Sequence, residues 1–284
     1  MNESADKKKY LDSLFHSFGQ QYISSDPIQL VKRFDNPEDQ EIAAILISAL
    51  AFGQVSQILK AGNMVLSLME NRPTEYVMNL DPSAALRHWK KFYYRMVKHS
   101  DMLRLLWVLK SIKYECGSIG RWVLGNYRKT DIHLGITWAR CVEQMKISDR
   151  KLWKWPRSRG IGFNHLLPDP SKNSACKRAF LLLRWMVRKD EVDLGIWEGL
   201  PTAKLLIPVD THIQRLAFNI GLTNRRDLSA KTAMEITTEL KKFDSNDPVK
   251  YDFALCRLGI LKMCPKKRNL FKCKTCPIFE ICRL

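Results

Sequence analysis

Four of the eight cysteines in this 284-residue chain lie close together, at Cys264, Cys273, Cys276 and Cys282, in the pattern C-x8-C-x2-C-x5-C. Thiolates at such short spacing can enclose either a zinc ion or a [4Fe–4S] cluster. Zinc ribbons usually offer two C-x2-C knuckles across a longer loop. One knuckle flanked by two single cysteines is a compact wrap that suits a cubane, with zinc as the alternative. No apolar stretch follows the charged residues Met1 to Lys9, so no export signal is expected. A cytoplasmic chain keeps its thiols reduced, and a clustered quartet then points to metal rather than disulfides. Cys116, Cys141, Cys176 and Cys256 are scattered.

Basic residues surround that quartet. Lys266, Lys267 and Arg268 lie inside its first loop, and Lys272 and Lys274 flank the loop's end. Such a loop is expected to contact phosphates; the plainer reading is a solvated charged loop. Trp153-Lys154-Trp155-Pro156-Arg157-Ser158-Arg159 is a second basic, aromatic segment, and it makes Arg157 and Arg159 candidate DNA contacts. Trp89, Phe92, Tyr93 and Tyr94 interleave with Lys90, Lys91 and Arg95, a mixture that fits a DNA groove but at this spacing is more often core. Over the whole chain, 47 Lys and Arg stand against 29 Asp and Glu, a net charge of +18. That balance favours a polyanionic partner. The longest strongly apolar run, Ile42 to Phe52, is interrupted by Ser48 and is about half of what a bilayer span needs, so no membrane association is expected.

The elements that must position these groups read as helices. Ile42, Ile45, Leu46, Ala49 and Leu50 mark one face, behind Asn36 as N-cap and Pro37 in the first turn. Met102, Leu105, Leu106 and Leu109 repeat the pattern, and Phe180, Leu183, Trp185 and Val187 do so more loosely. Asp210 is a good N-cap before Thr-His-Ile-Gln-Arg. Asp247-Pro248 is expected to open a further helix that Gly259 closes. No window shows sustained β alternation, and the class is all-α. Hydrophobic residues make up 45% of the chain, enough for a real core, so disorder is excluded.

The quartet closes a chain that resembles the endonuclease III, or helix-hairpin-helix, superfamily of DNA glycosylases, with eight residues rather than that family's six in the first gap. Ile207-Pro208-Val209-Asp210-Thr211-His212-Ile213-Gln214-Arg215 is similar to the family's V-D-T-H-x-x-R segment, whose aspartate is catalytic. Lys177-Arg178-Ala179-Phe180-Leu181-Leu182-Leu183 is similar to its K-T-A-N-V-V-L helix, whose lysine is the nucleophile. Leu46-Ile47-Ser48-Ala49-Leu50-Ala51 is similar to L-L-S-A-Q-A, with Leu50 at the position of the DNA-contacting glutamine and Gln54 nearby. The family's glycine hairpin is replaced by Leu167 to Cys176, with Gly160-Ile161-Gly162 as a possible displaced remnant. Lys177 and Asp210 stand 33 positions apart, more like the archaeal 8-oxoguanine glycosylases. The segment from Arg184 to Asp190 also looks like an uncharacterised bacterial branch.

The resemblance covers about residues 30–284. It implies a helical barrel over 37–204 and a cluster domain made of 1–36 with 205–284, and a cleft between them with Lys177 and Asp210 on opposite walls. It implies a monomeric, nucleoid-associated base-excision glycosylase with abasic-site lyase activity, acting on duplex DNA with a flipped damaged base or an abasic site. Lys177 supplies the amine, its pKa lowered by burial or by neighbours such as Lys172 and Arg178. Asp210 stabilises charge at the sugar, and His212 is a hydrogen-bonded residue behind it. Lys172, Arg178 and Gln54 join the expected DNA contacts. A catalytically silent iron–sulfur nucleic-acid-binding protein is the alternative, and a zinc-containing RNA-binding module a third.

Overall fold

The computed structural model describes residues 3–157, 161–265 and 267–283. In chain order its helices begin with α1 (Glu3–Ser17), α2 (Ile28–Val31), α3 (Pro37–Ala49), α4 (Val55–Leu68), α5 (Pro73–Met78) and α6 (Pro82–His88). A minimal antiparallel hairpin of β1 (Tyr93–Tyr94) and β2 (Val97–Lys98) follows. Next come α7 (His99–Cys116), α8 (Ile119–Asn126), α9 (Leu134–Leu152), α10 (Gly162–Leu166) and α11 (Lys177–Val187). The last are α12 (Thr211–Asn219), α13 (Ala230–Lys241), α14 (Asp252–Ile260) and α15 (Leu270–Cys273). The protein is all-α, with strands too short for alternation to register in the sequence.

Local chemistry sets the helix starts. Asn36 accepts the Glu38 N–H and Pro37 takes the first helical position, as its sequence requires. Asp81, Ser118, Asp210 and Ser229 cap four further helices through their side chains. Apolar periodicity then decides depth. α3 is buried from Glu41 to Ala49, on every side rather than on one face, and packs against α11, itself buried from Ala179 to Val187. Each aliphatic side chain sealed there contributes roughly 1.5–3 kcal/mol. The one buried carboxylate of α3, Glu41, accepts the N–H groups of Ile119 (2.9 Å) and Gly120 (2.6 Å) and the Trp197 indole N–H (2.8 Å), so its burial leaves no orphan acceptor.

The N-terminal residues divide between two neighbourhoods. α2 packs on α3 and α4, whereas α1 lies against α14. Tyr251 donates its hydroxyl to Asp12 at 2.7 Å, and Arg257 reaches back to the Ser25 carbonyl at 2.7 Å.

Several expectations are corrected here. Asp247-Pro248 does not open a helix: Asp247 is held by Arg188 at 2.7 Å, and the helix starts at Asp252. Gly259 does not close it but sits inside it. Among the aromatics of residues 89–94, Trp89, Phe92 and Tyr94 are core, and only Tyr93 is largely exposed. Trp153 is buried, and Trp155 stacks edge-on with Trp107 while donating its indole N–H to Ser83. The aromatic members of that basic segment therefore face the protein.

Gly259 has a packing reason. A Cβ there would meet the His212 ring, 2.5 Å from Nδ1. Gly259→Ala would ordinarily stabilise a helix by roughly 0.5–1 kcal/mol; here the overlap should win and cost about 1–3 kcal/mol in denaturant unfolding. Adding His212→Ala should restore most of the loss. A single Gly259→Ala variant more stable than wild type would refute this contact.

Candidate catalytic cleft and thiol pocket

Asp210 begins as a cap. One of its oxygens, Oδ1, accepts the N–H groups of His212 (2.9 Å) and Ile213 (3.0 Å), which fixes the carboxylate at the start of α12. That leaves Oδ2 free to face α11, where Lys177 is the first residue. Lys177 Nζ lies 3.0 Å from it. The two residues therefore meet directly instead of facing each other across a gap. Both remain reachable, with side chains 34% and 17% exposed.

The electrostatics reverse one expectation. Burial alone would lower the Lys177 amine, but the Asp210 charge, with help from Cys256 and Asp26, outweighs it and holds the ammonium above its ordinary value. Burial alone would raise Asp210, and Lys177 with the Ile213 N–H outweighs that and lowers it. The resting pair is charged, not poised as a free amine. His212 is lowered by burial, and its Nδ1 finds no partner among the described residues, so its ring is a packing group and its backbone N–H serves Asp210.

Two chambers adjoin the pair. One, of about 500 Å³, is lined by Asp26, Gln54, Arg184, Asp252, Cys256 and Arg257 among others. The second, of about 490 Å³, is lined by Phe52, Pro168, Cys176, Arg178, Thr211 and Leu228 among others. Ala51, Gly53, Lys177, Asp210 and His212 border both. Each volume falls within the roughly 300–1,000 Å³ range of ligand sites. A separate hollow of about 370 Å³ between Glu70 and His88 shares none of these residues.

Charged groups in the wall of the first chamber escape a motif-based reading. Arg257 donates to Asp26 at 2.9 Å, and Arg184 bridges Asp252 and, at 3.2 Å, Asp193. All five are almost fully buried. Burial pushes Asp252 up to about 6 even against Arg184. The available signal was an arginine or aspartate inside an otherwise apolar helix, as in Leu181-Leu182-Leu183-Arg184-Trp185.

The other candidates scatter. Gln54 sits at the start of α4 on the first chamber's rim. Arg178 donates to the Ala49 carbonyl at 2.6 Å. Lys172, Lys267 and Arg268 are exposed. Arg157 pairs with the buried Asp149 at 2.7 Å, while its own side chain stays 37% exposed. Arg159 and Lys266 lie outside the described residues. The segment from Leu167 to Cys176 is fastened by Asp169, which holds Lys146 at 3.0 Å, and by a bridge between Ser174 and Ser229. Gly162 opens α10, where a Cβ would strike the Asp101 carboxylate and the Met96 carbonyl; Gly160 lies outside the described residues.

Cys264, Cys273, Cys276 and Cys282, all unpaired, line one small pocket with Leu216, Met263, Ile278 and Phe279. Arg215 braces its rim by donating to the Cys264 carbonyl at 3.1 Å. Among the described residues no group of three or more His, Cys, Asp or Glu side chains is placed to hold a metal ion. Four thiols on an otherwise apolar wall are a donor set that would suit a polynuclear cluster. Among the described residues, no helix is long and apolar enough to cross a membrane.

The charged state of the pair has a pH signature. Acetylation of Lys177 by a neutral reagent, followed by mass spectrometry, should accelerate about tenfold per pH unit from 7 to 9, because only the free amine reacts. Asp210→Asn removes the anion that raises the amine, so the same reaction should be faster at any fixed pH in this range. Equal rates in both proteins would show that Asp210 does not hold the proton on Lys177.

A family model described as "Protein of unknown function (DUF2400)" matches residues 26–261. No curated protein and no solved structure matches the chain.

Proposed function

The chain belongs to the DUF2400 family, and from its cleft we propose a DNA glycosylase with abasic-site lyase activity. The observation that carries this reading is a lysine amine 3.0 Å from a capped carboxylate, at the border of two ligand-sized chambers. The net charge of +18 supports a polyanionic substrate. An extruded base occupies the first chamber, where buried arginines and aspartates offer polar groups, and its sugar lies against Lys177 and Asp210.

The Asp210 carboxylate faces the positive charge that grows on the sugar as the glycosidic bond breaks. Lys177 first gives up its proton. Its lone pair then forms the bond to C1′, while the departing base leaves with the bonding electrons and takes up a proton. One of the two protons then on the nitrogen passes to the ring oxygen as the C1′–O4′ bond breaks, which yields a protonated imine, from which β-elimination breaks the strand. Cys264, Cys273, Cys276 and Cys282 would hold a [4Fe–4S] cluster, which supplies a rigid, redox-capable cross-link for the C-terminal loop. A second reading, a silent nucleic-acid binder, is favoured by one feature: the glycine hairpin of the family it resembles is lost, with Leu167 to Cys176 in its place.

Borohydride treatment with abasic-site DNA should trap a covalent adduct that Lys177→Ala abolishes. Asp210→Asn keeps the cap oxygen and should slow base excision about a hundredfold or more. Tight DNA binding with no adduct and no excision on any lesion would establish the silent binder instead.

Purified without air, the protein should contain about four irons per chain. Cys276→Ala should lose them and expose the segment after residue 260 to proteases, because ligand binding and local folding are coupled. One zinc and no iron would overturn the cluster.

A further inference from the structure

Phe52 sits at an electrostatic oddity. Its ring borders the second chamber, and two guanidiniums lie over it: that of Arg178 at 5.0 Å and that of Arg95 at 5.7 Å from the centroid. Tyr94 packs on the same ring and donates its hydroxyl to the Phe52 carbonyl, and the His165 ring meets Phe52 edge-on. Among the described residues neither arginine pairs with a carboxylate, although most buried arginines of this protein do. Arg178 has the Ala49 carbonyl as its hydrogen-bond acceptor, and burial pushes it down to about 10. His165 adds no third positive charge, since burial and Arg178 push it down to about 4.

Holding two like charges on one ring, one of them half-buried, is costly without an anion. A cation–π contact offsets only part of that cost. The backbone enforces the arrangement. Arg95 occupies a left-handed turn, φ 55°, between β1 and β2, and its guanidinium fills the space beside Gly53, where a Cβ would lie 2.5 Å away. Arg178 follows Lys177 directly on α11.

We propose that Arg95 and Arg178, gathered on Phe52, seat one phosphodiester of the DNA strand whose sugar faces Lys177. The inference rests on the nucleic-acid reading above and adds to it a specific anion site. A phosphodiester suits two planar guanidiniums, because its two free oxygens accept paired N–H donors from different directions. Its position beside Lys177 ties the register of the strand to the reacting sugar, whereas lysines on the exposed loops add affinity without register.

The test uses the full-length protein and duplexes carrying a tetrahydrofuran abasic analogue, with each flanking phosphate replaced in turn by a neutral methylphosphonate. Neutralising one particular phosphate should weaken wild-type binding about tenfold, as expected for losing charge-assisted hydrogen bonds. Arg95→Gln, at an exposed position, should bind the all-phosphate duplex about tenfold more weakly and lose sensitivity at that same phosphate. Arg178→Gln should do likewise, and Arg178→Lys should restore part of the binding. Binding that is uniform across all phosphates, with Arg95→Gln like wild type, overturns the seat and leaves the nucleic-acid reading standing. Absence of any duplex binding overturns both.

Discussion

A guanidinium sealed inside the protein organises the cleft. Arg184 is 2% exposed, and it holds Asp252 at the start of α14 and Asp193 in the segment after α11. Removing one partner of such a group leaves a buried charge uncompensated, at a cost of roughly 3–5 kcal/mol. α11 and α14 are therefore locked together from within. α14 presents Gly259 to the His212 ring, which seats the first turn of α12 and with it Asp210. α11 presents Lys177 at its first position. The meeting of lysine and carboxylate is a downstream result of this internal ion cluster.

α12 serves two sites at once. Its first turn carries the carboxylate of the cleft, while Leu216 lines the thiol pocket and Arg215 braces the Cys264 carbonyl. A change in the thiol loop has a short mechanical route to Asp210. Within the cleft, the close lysine–carboxylate pair keeps two charges compatible with partial burial, since each offsets the desolvation of the other.

What the sequence revealed followed the range of the interaction. Asn36 and Asp210 were legible as caps because a cap bonds its own N–H groups two or three residues on. The buried helices were legible from apolar periodicity, and the thiols from their spacing. Arg257 with Asp26, 231 positions apart, left no local trace. Gly259 reads locally as a helix stop, and only the ring packed against it explains why it lies inside a helix. Trp153 and Trp155 read as an exposed aromatic segment because nothing local shows that Trp107 awaits them. The segment replacing the glycine hairpin was opaque for the same reason: its anchors, Leu228 to Ala230, come more than fifty positions later.

The packing of α1 on α14 bears on how the chain is made. Leu11 and Leu14 are fully buried, and Asp12 takes the hydroxyl of Tyr251, 239 positions further on. At synthesis rates of roughly 5–20 residues per second, the partner surface of α1 is translated about 10–50 s after α1 itself. During that interval the first helix has an apolar face and no place to put it. The nascent protein must shelter that face, on a chaperone or by transient self-contact, until α14 has emerged. Closure of the N-terminal segment is thus a late event, close in time to the emergence of the four clustered cysteines.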